Sequence, residues 1–189
     1  GFEHVSRVKP FFSTDLEGYW NPFKEFYNSS ILGEIHDKEE AFALGGEHGV
    51  LLKELGFTMN FAPVAEGDGS VWPGRGWNGS RFEIAEWSSA YLRGLQAEGI
   101  VGVVKHYPGG SIDSLDPHKE VVRREILGED VFPFLIALKE AKGVMVGHVV
   151  ARGEIDSGEK PCSVSEACVD SIREAGFQGL IVTDEVNMD

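Results

Sequence analysis

The tetrapeptide Lys105-His106-Tyr107-Pro108 is the part of the sequence whose residue types and position point most clearly to chemistry. It follows the apolar run Ile100-Val101-Gly102-Val103-Val104, which is typical of a strand buried on both faces. A cation and an imidazole at the end of such a strand suit a binding site better than a core. We therefore expect Lys105 and His106 to contact a ligand, and the alternative for Lys105 is a buried ion pair with a carboxylate.

Asp184 ends another apolar strand, Gly179-Leu180-Ile181-Val182-Thr183. A carboxylate at this point faces the C-terminal end of a parallel sheet, where barrel enzymes carry out their reactions. In the alternative, Asp184 caps the next helix or joins Glu185 and Asp189 in an acidic helix start. The sequence leaves both open.

The triplet Asp116-Pro117-His118 predicts a proton shuttle. Proline keeps the preceding residue extended, so the first and third side chains project to the same side. Asp116 can then accept a hydrogen bond from His118 and fix its tautomer. One alternative is a polar turn with an exposed histidine, and another is a metal site of His106, His118 and Asp113. Because the chain lacks the tight histidine spacing of such sites, we predict neither a metal nor a cofactor.

Two further segments carry candidate binding residues. Asp15, followed by Glu17, could bind two hydroxyl groups, or it could be a helix-start carboxylate. Arg75 lies in Pro73-Gly74-Arg75-Gly76-Trp77-Asn78-Gly79, which matches G-x-G-x-x-G but does not directly follow a strand. We therefore predict a loop that reaches over a ligand, with Trp72 or Trp77 stacking on a sugar or packing in the core or rim.

Strand-like and helix-like patterns alternate along the whole chain. This order predicts an α/β fold with a parallel sheet and right-handed crossovers. Expected N-caps are Asp37 and Ser80, and expected helix stops are Gly56, Gly99 and Gly176. Strands are predicted at 8–14, 58–64, 100–106, 143–149 and 179–183, and helices near 37–55, 82–98, 126–141 and 164–175.

The predicted fold class is a TIM-type (β/α)8 barrel, present as an incomplete portion with about five parallel strands. A complete barrel has eight strands and typically ~250 residues, whereas this chain has 189. No linker or charge block divides it, so we treat residues 1–189 as a single partial barrel domain.

The charge and composition of the chain argue against some classes of binding partner. The net charge of −14 argues against nucleic acid and anionic membranes, and no apolar run reaches the ~18 residues of a membrane span. Cys162 and Cys168 are expected to be buried or idle thiols rather than a disulfide.

Taken together and in order, these motifs resemble glycoside hydrolase family 3, and more closely its β-N-acetylglucosaminidase branch, known from bacterial cell-wall recycling. The lysine–histidine and the terminal Thr-Asp segments are the most specific. The matching segments are Ser13-Thr14-Asp15-Leu16-Glu17-Gly18, Asn60-Phe61-Ala62-Pro63-Val64, Arg93-Gly94-Leu95-Gln96, Lys105-His106-Tyr107-Pro108-Gly109, Asp116-Pro117-His118 and Gly176-Phe177-Gln178-Gly179-Leu180-Ile181-Val182-Thr183-Asp184.

The resemblance implies retaining hydrolysis of a terminal β-linked N-acetylglucosamine. Asp184 would be the nucleophile, and His118, assisted by Asp116, the acid/base. It also implies a carbohydrate partner and no cofactor, and it favours the cytoplasm. The residues implied to contact the sugar are Asp15, Arg75, Lys105, His106 and His148.

The chain also departs from the family pattern. After Pro108-Gly109 the family has a further histidine, where this chain has Gly110-Ser111, and the family barrel begins earlier and continues past Asp189. Three alternatives therefore stay open: a phosphorylase, a β-glucosidase, or a carbohydrate-binding barrel remnant without activity. A related hypothesis is that a partner segment or a second copy completes the sheet.

Overall fold

The computed structural model describes residues 9–69, 71–110 and 121–186. Five strands form one parallel sheet in the order β1-β2-β3-β5-β7, so its neighbours follow chain order. They curl into part of a barrel, which confirms the predicted α/β class with about five parallel strands. The strands are β1 (Ser13–Thr14), β2 (Met59–Asn60), β3 (Val101–Tyr107), β5 (Gly143–Val146) and β7 (Leu180–Thr183).

A second, two-stranded parallel sheet was not predicted. It pairs β4 (Arg123–Ile126) with β6 (Val150–Gly153). Strand β4 begins with charged, partly exposed residues, so no apolar run marks it in the sequence. Pairing with β6, rather than local composition, defines this strand.

Within the described residues, four helices connect the strands, and two of them begin at the predicted N-caps. The Asp37 carboxylate accepts a hydrogen bond from the Glu40 backbone N–H at 2.8 Å. Ser80 forms a capping box with Glu83. Gly56, Gly99 and Gly176 all have positive φ, as the predicted helix stops require. The helices are α1 (Lys38–Glu54), α2 (Arg81–Ala97), α3 (Gly128–Ala137) and α4 (Glu166–Glu174).

The sheet carries apolar side chains on both faces, and the small inner cluster matters most for the site. Two larger clusters combine strand and helix residues. The inner cluster contains Met59, Val103 and Met145, with Phe61 packed against it. Because Phe61 and Met145 also line the main cavity, this apolar layer forms part of the cavity wall.

The expectation of two idle thiols is wrong. Cys162 and Cys168 are fully buried and joined by a disulfide. The bond connects the short helical turn Cys162–Val164 to α4. Within the described ranges, no helix has the length and apolar character needed to cross a bilayer.

Candidate active site

A cavity of about 950 Å³ opens at the carboxyl ends of the strands. This volume lies within the ~300–1,000 Å³ typical of small-molecule sites. Residues that end or follow β1, β2, β3, β5 and β7 line it, as expected for a parallel barrel with one working face. The predicted site residues that line it are Asp15, Arg75, Lys105, His106 and Asp184.

Lys105 is held between two carboxylates at the end of β3. Its Nζ lies 2.6 Å from Asp15 Oδ1 and 2.6 Å from Glu17 Oε1. The Lys105 side chain is only 2% exposed, whereas that of Asp15 is 52% exposed. The buried ion pair expected as the alternative for Lys105 is therefore present, and Lys105 also lines the cavity, while its contact with a ligand stays a prediction. Asp15, by contrast, opens towards the space a ligand would fill.

Glu17 also holds Arg75 through a paired contact. Arg75 Nε donates to Glu17 Oε2 and Arg75 Nη2 to Glu17 Oε1, each at 2.9 Å. Burial raises the pKa of Glu17, but the charges of Lys105 and Arg75 and their hydrogen bonds more than offset it and lower the pKa to about 2. Glu17 is therefore ionised at neutral pH and pairs with both cations. In the sequence, Glu17 stands out only as a neighbour of Asp15.

Behind this charged cluster, Asn60 fixes the backbone between Asp15 and Glu17. The Asn60 amide donates to the Leu16 carbonyl and accepts from the Leu16 N–H, both at 2.9 Å. Because neighbouring side chains in extended backbone point to opposite sides, holding Leu16 sets the directions of both carboxylates. The turn that follows requires Gly18, which has φ +98° and would bring a Cβ to 2.2 Å from the Ser30 carbonyl oxygen.

Asn60 is itself part of a buried neutral network. Its amide donates to the Tyr91 hydroxyl at 3.2 Å, and that hydroxyl lies 2.6 Å from His48 Nδ1. His48 Nε2 lies 2.7 Å from Ser29 Oγ. Burial lowers the pKa of His48 to about 3, so its ring is neutral at pH 7.

His106 connects a buried carboxylate to Asp184. Glu66 Oε1 accepts a hydrogen bond from the His106 backbone N–H at 3.2 Å and lies 3.2 Å from His106 Nδ1. On the other side of the ring, Nε2 lies 4.0 Å from Asp184 Oδ2. Glu66, which no sequence motif marks, therefore sets the orientation of the ring that faces Asp184.

Asp184 lies at the end of β7 with its carboxylate in the cavity. Its backbone N–H donates to the Val146 carbonyl at 3.0 Å, and its Oδ1 accepts from the Glu185 N–H at 2.8 Å. Burial raises the pKa of Asp184, but His106, the Glu185 N–H, Lys105 and His148 outweigh it, so the pKa lies below its usual value. Asp184 is therefore an ionised carboxylate at neutral pH.

His148 lies near this centre but has contacts within the protein at both ring nitrogens. Nδ1 lies 2.7 Å from Ser163 Oγ, and Nε2 lies 2.7 Å from the Glu185 carbonyl oxygen. It supports the backbone next to Asp184, and its contact with a sugar stays a prediction.

The two tryptophans named from the sequence have different environments. Trp77 is fully buried and packs against Trp87 with ring centres 5.9 Å apart, so it cannot stack on a ligand. Trp72 lines the cavity, with the Arg75 guanidinium 5.0 Å from its ring centre.

His118, Asp116 and Asp113 lie outside the described residues. Within 9–69, 71–110 and 121–186, no three His, Cys, Asp or Glu side chains are grouped to hold a metal ion.

A parallel, partly closed barrel whose strand ends gather an ionised carboxylate, two cations and an imidazole has the architecture of a barrel enzyme. Residues 6–189 match the family described as "Glycosyl hydrolase family 3 N terminal domain". The chain belongs to glycosyl hydrolase family 3, which confirms the resemblance drawn from its motifs.

Curated relatives have matching names. The chain is 28% identical over 171 residues to "Beta-hexosaminidase LpqI" of Mycobacterium tuberculosis, covering 82% of this chain and 44% of that protein. It is 32% identical over 178 residues to the "Beta-hexosaminidase" of Neisseria meningitidis serogroup C, covering 85% and 48%. The chain spans about half the length of the curated relatives it matches.

Solved structures share the fold. A glycoside hydrolase family 3 beta-N-acetylglucosaminidase from Paenibacillus has a TM-score of 0.83 at 26% identity, covering 96% of this chain and 38% of that one. Native NagZ from Neisseria gonorrhoeae has a TM-score of 0.81 at 25% identity, covering 94% and 58%.

Proposed function

We propose that the protein is a retaining β-N-acetylglucosaminidase that removes a terminal β-linked N-acetylglucosamine from a glycoside. The observation that carries this proposal is the position of Asp184, an ionised carboxylate in the same cavity as Lys105, His106 and Arg75. The names of the relatives support the sugar, and the low pKa of Asp184 supports its role as a nucleophile rather than an acid.

In the first step, a carboxylate oxygen of Asp184 forms a bond to the anomeric carbon while the glycosidic carbon–oxygen bond breaks. The departing oxygen takes a proton from the His118 imidazolium. Asp116 accepts a hydrogen bond from the other ring nitrogen of His118 and keeps the ring in the required tautomer. The roles of His118 and Asp116 follow from their sequence motif.

In the second step, water attacks the anomeric carbon and the bond to Asp184 breaks. The neutral His118 imidazole takes the proton of the water, which restores the imidazolium and the Asp184 carboxylate. Because two displacements occur at the same carbon, the sugar is released with its original configuration.

The charged cluster would bind the sugar hydroxyls. Asp15 is half exposed and can accept hydrogen bonds while it remains paired with Lys105. Lys105, Arg75 and His106 supply donors on the buried side of the cavity, and Glu17 keeps the two cations in place. His148 would contribute from the side of Glu185.

The test measures how fast the full-length protein hydrolyses an aryl β-N-acetylglucosaminide and an aryl β-glucoside. We expect turnover of the first substrate, and its loss by at least about 10⁴-fold in Asp184→Asn, because the covalent step then has no anionic nucleophile. Asp170→Asn, the same change on the exposed face of α4, serves as the matched control and is expected to retain activity.

A second variant tests the acid/base role of His118 separately from the nucleophile role of Asp184. His118→Ala should slow substrates with good leaving groups much less than alkyl glycosides, because good leaving groups need little protonation. Equal losses of activity on both kinds of substrate would contradict the acid/base role of His118. If the product in phosphate buffer is sugar 1-phosphate, the protein is a phosphorylase. If it cleaves the glucoside faster than the N-acetylglucosaminide, it is a β-glucosidase. If it binds the sugar without turnover, it is a non-catalytic carbohydrate-binding protein.

A further inference from the structure

We propose that His148 is a positioning residue that determines which oxygen of Asp184 attacks the sugar. By holding the Glu185 carbonyl, it keeps the Glu185 N–H on Oδ1 of Asp184, so that Oδ2 is the reacting oxygen. This inference rests on the proposed function, because it concerns the carboxylate that forms the glycosyl bond. The family resemblance implies a sugar contact for His148 and gives the two oxygens of Asp184 no separate roles.

The backbone of Glu185 is held at both of its polar groups. Its N–H donates to Asp184 Oδ1 at 2.8 Å, and its carbonyl oxygen lies 2.7 Å from His148 Nε2. Because a carbonyl oxygen can only accept, Nε2 must carry the proton of this hydrogen bond. A change in the Glu185 dihedral angles would break one of the two contacts, so His148 acts on the Asp184 carboxylate through Glu185.

The two oxygens of the Asp184 carboxylate have different surroundings. Oδ1 accepts the Glu185 N–H, whereas Oδ2 lies 4.0 Å from His106 Nε2, which is beyond hydrogen-bond distance. A hydrogen bond to a charged oxygen is stronger than one between neutral groups. Attack through Oδ1 would weaken that bond, whereas attack through Oδ2 leaves it in place, since Oδ1 becomes the carbonyl oxygen of the glycosyl ester and still accepts.

The His148 ring is held on its other side by a short helical turn. Nδ1 lies 2.7 Å from Ser163 Oγ, and Ser163 is only 8% exposed. The Ser163 N–H donates to the Gly147 carbonyl and the Cys162 N–H to the Val149 carbonyl, each at 2.9 Å. The disulfide at Cys162 joins this turn to α4. A ring fixed at both nitrogens, on a backbone fixed at both neighbours, has the single orientation that a positioning role requires.

His148 lies beside the cavity, whereas Asp184 and Glu185 are part of its wall. Among the described residues that line the cavity, His148 is not included. Both of its ring nitrogens lie within hydrogen-bond distance of protein atoms, so a hydrogen bond to a sugar would have to replace one of these contacts. The effect of His148 on the reaction therefore passes through Glu185.

Two substitutions that each keep one end of the imidazole provide the test. The amide nitrogen in His148→Gln can take the place of Nε2 and donate to the Glu185 carbonyl. The shorter side chain in His148→Asn reaches Ser163 but not Glu185. The measurement is kcat/KM of the full-length protein for an aryl β-N-acetylglucosaminide, which reports formation of the bond to Asp184.

We expect kcat/KM to fall about 10²-fold in His148→Ala and His148→Asn, because a displacement of about 1 Å in a reacting group costs this much. His148→Gln should stay within about 5-fold of the wild type, because it restores the donor to Glu185. This difference between two polar replacements separates the contact with Glu185 from a general loss of packing.

The affinity for N-acetylglucosamine, measured as competitive inhibition, separates positioning from a direct sugar contact. It should stay within about 2-fold of the wild type in all three variants, which also shows that they are folded. His36→Ala is the matched control, since His36 is an exposed histidine just before α1, and it should change neither quantity.

A crystal structure of the glycosyl adduct, trapped with a fluorinated sugar, identifies the attacking oxygen directly. The ester bond should pass through the Asp184 oxygen next to His106, with the other oxygen still accepting the Glu185 N–H. The reverse arrangement would overturn the proposal.

Other results would also overturn it. If His148→Gln and His148→Asn have the same kcat/KM, or if the affinity for N-acetylglucosamine falls in parallel with kcat/KM, the positioning role is wrong and the proposed function stands. If the wild-type protein does not hydrolyse the aryl glycoside, the proposed function fails and the positioning role fails with it.

Discussion

Two neighbouring regions of the molecule handle buried polar groups in opposite ways. At the carboxyl ends of the strands, Lys105 and Arg75 are charged and held by Glu17. Directly behind them, His48 and Tyr91 form a neutral network through short hydrogen bonds. The first region places charge where a ligand would meet it, and the second holds the backbone between Asp15 and Glu17, the carboxylates that pair with these cations.

Among the described residues, the Asn60 amide is one contact between the two regions, and the Tyr91 hydroxyl, which donates to the Leu16 carbonyl at 3.4 Å, is another. The Asn60 amide belongs to the neutral network through Tyr91 and holds both backbone groups of Leu16, the residue between Asp15 and Glu17. A neutral network suits this position because it supports the charged cluster without adding charge to it. We therefore expect substitutions in the two regions to differ in their effects on stability, on its pH dependence and on kcat/KM.

The largest effect is expected from Glu17→Ala. It leaves two buried cations without their shared partner, and breaking a buried pair in this way typically costs ~3–5 kcal/mol. Denaturant unfolding should show this loss in the free energy of unfolding. Lys38→Ala is the control, because Lys38 pairs with Glu86 at 3.4 Å with both side chains about half exposed, and such pairs contribute less than about 1 kcal/mol. Similar losses for both variants would contradict the assignment of Glu17.

The two regions should also lose their contributions to the free energy of unfolding over different pH ranges. The pKa of Glu17 is about 2 in the folded protein, below its ordinary 4.5, so the unfolded chain binds this proton first and stability falls as pH drops from about 4.5 towards 2. The pKa of His48 is about 3, below its ordinary 6.5, so its contribution to the loss begins as pH falls below about 6.5.

Unfolding free energies measured across pH separate these two contributions. His48→Gln should flatten the curve between about pH 6.5 and 3, and Glu17→Gln should flatten it between about pH 4.5 and 2, so that above pH 4.5 only His48 of these two groups contributes. Each is expected to change the pH dependence by a few kcal/mol. If the unfolding free energy of His48→Gln has the same pH dependence above pH 4.5 as that of the wild type, the buried neutral imidazole of His48 does not cause this dependence.

A smaller effect is expected from Tyr91→Phe. This change removes the hydroxyl shared by His48 and Asn60 and should cost about 1–3 kcal/mol, since it leaves buried polar groups with fewer partners. It should also lower kcat/KM several-fold, because Asn60 then holds Leu16 less firmly. Tyr107→Phe removes a hydroxyl that contacts Ser171 on the α4 side, and it should lower stability without this kinetic effect. A Tyr91→Phe protein with unchanged kcat/KM would show that the network stabilises the fold alone.

Local signals predicted a large part of this arrangement. Apolar runs that end in polar residues identified the five strands of the main sheet and the cavity side chains Asp15, Lys105, His106 and Asp184. Asp37 and Ser80 marked two helix starts because an N-cap depends only on the next three residues. These features are encoded within a few positions of the chain.

Features that depend on distant contacts were missed. Strand β4 exists because it pairs with β6, and Glu17 and Glu66 matter because of Arg75, Lys105 and His106, which lie 40 or more positions away. Trp77 resembles a ligand-stacking residue in sequence, yet it lies in the core, whereas Trp20 lines the cavity and is half exposed. Indole position follows from the packing of the whole barrel, which no short segment contains.

The most direct test of the central claim is to locate the covalent glycosyl group on the protein. Full-length protein treated with 5-fluoro-N-acetylglucosaminyl fluoride is digested, and the labelled peptide is sequenced by mass spectrometry. We predict one added glycosyl unit on Asp184, and none in Asp184→Asn. A label on another carboxylate, such as Glu185, would contradict the account.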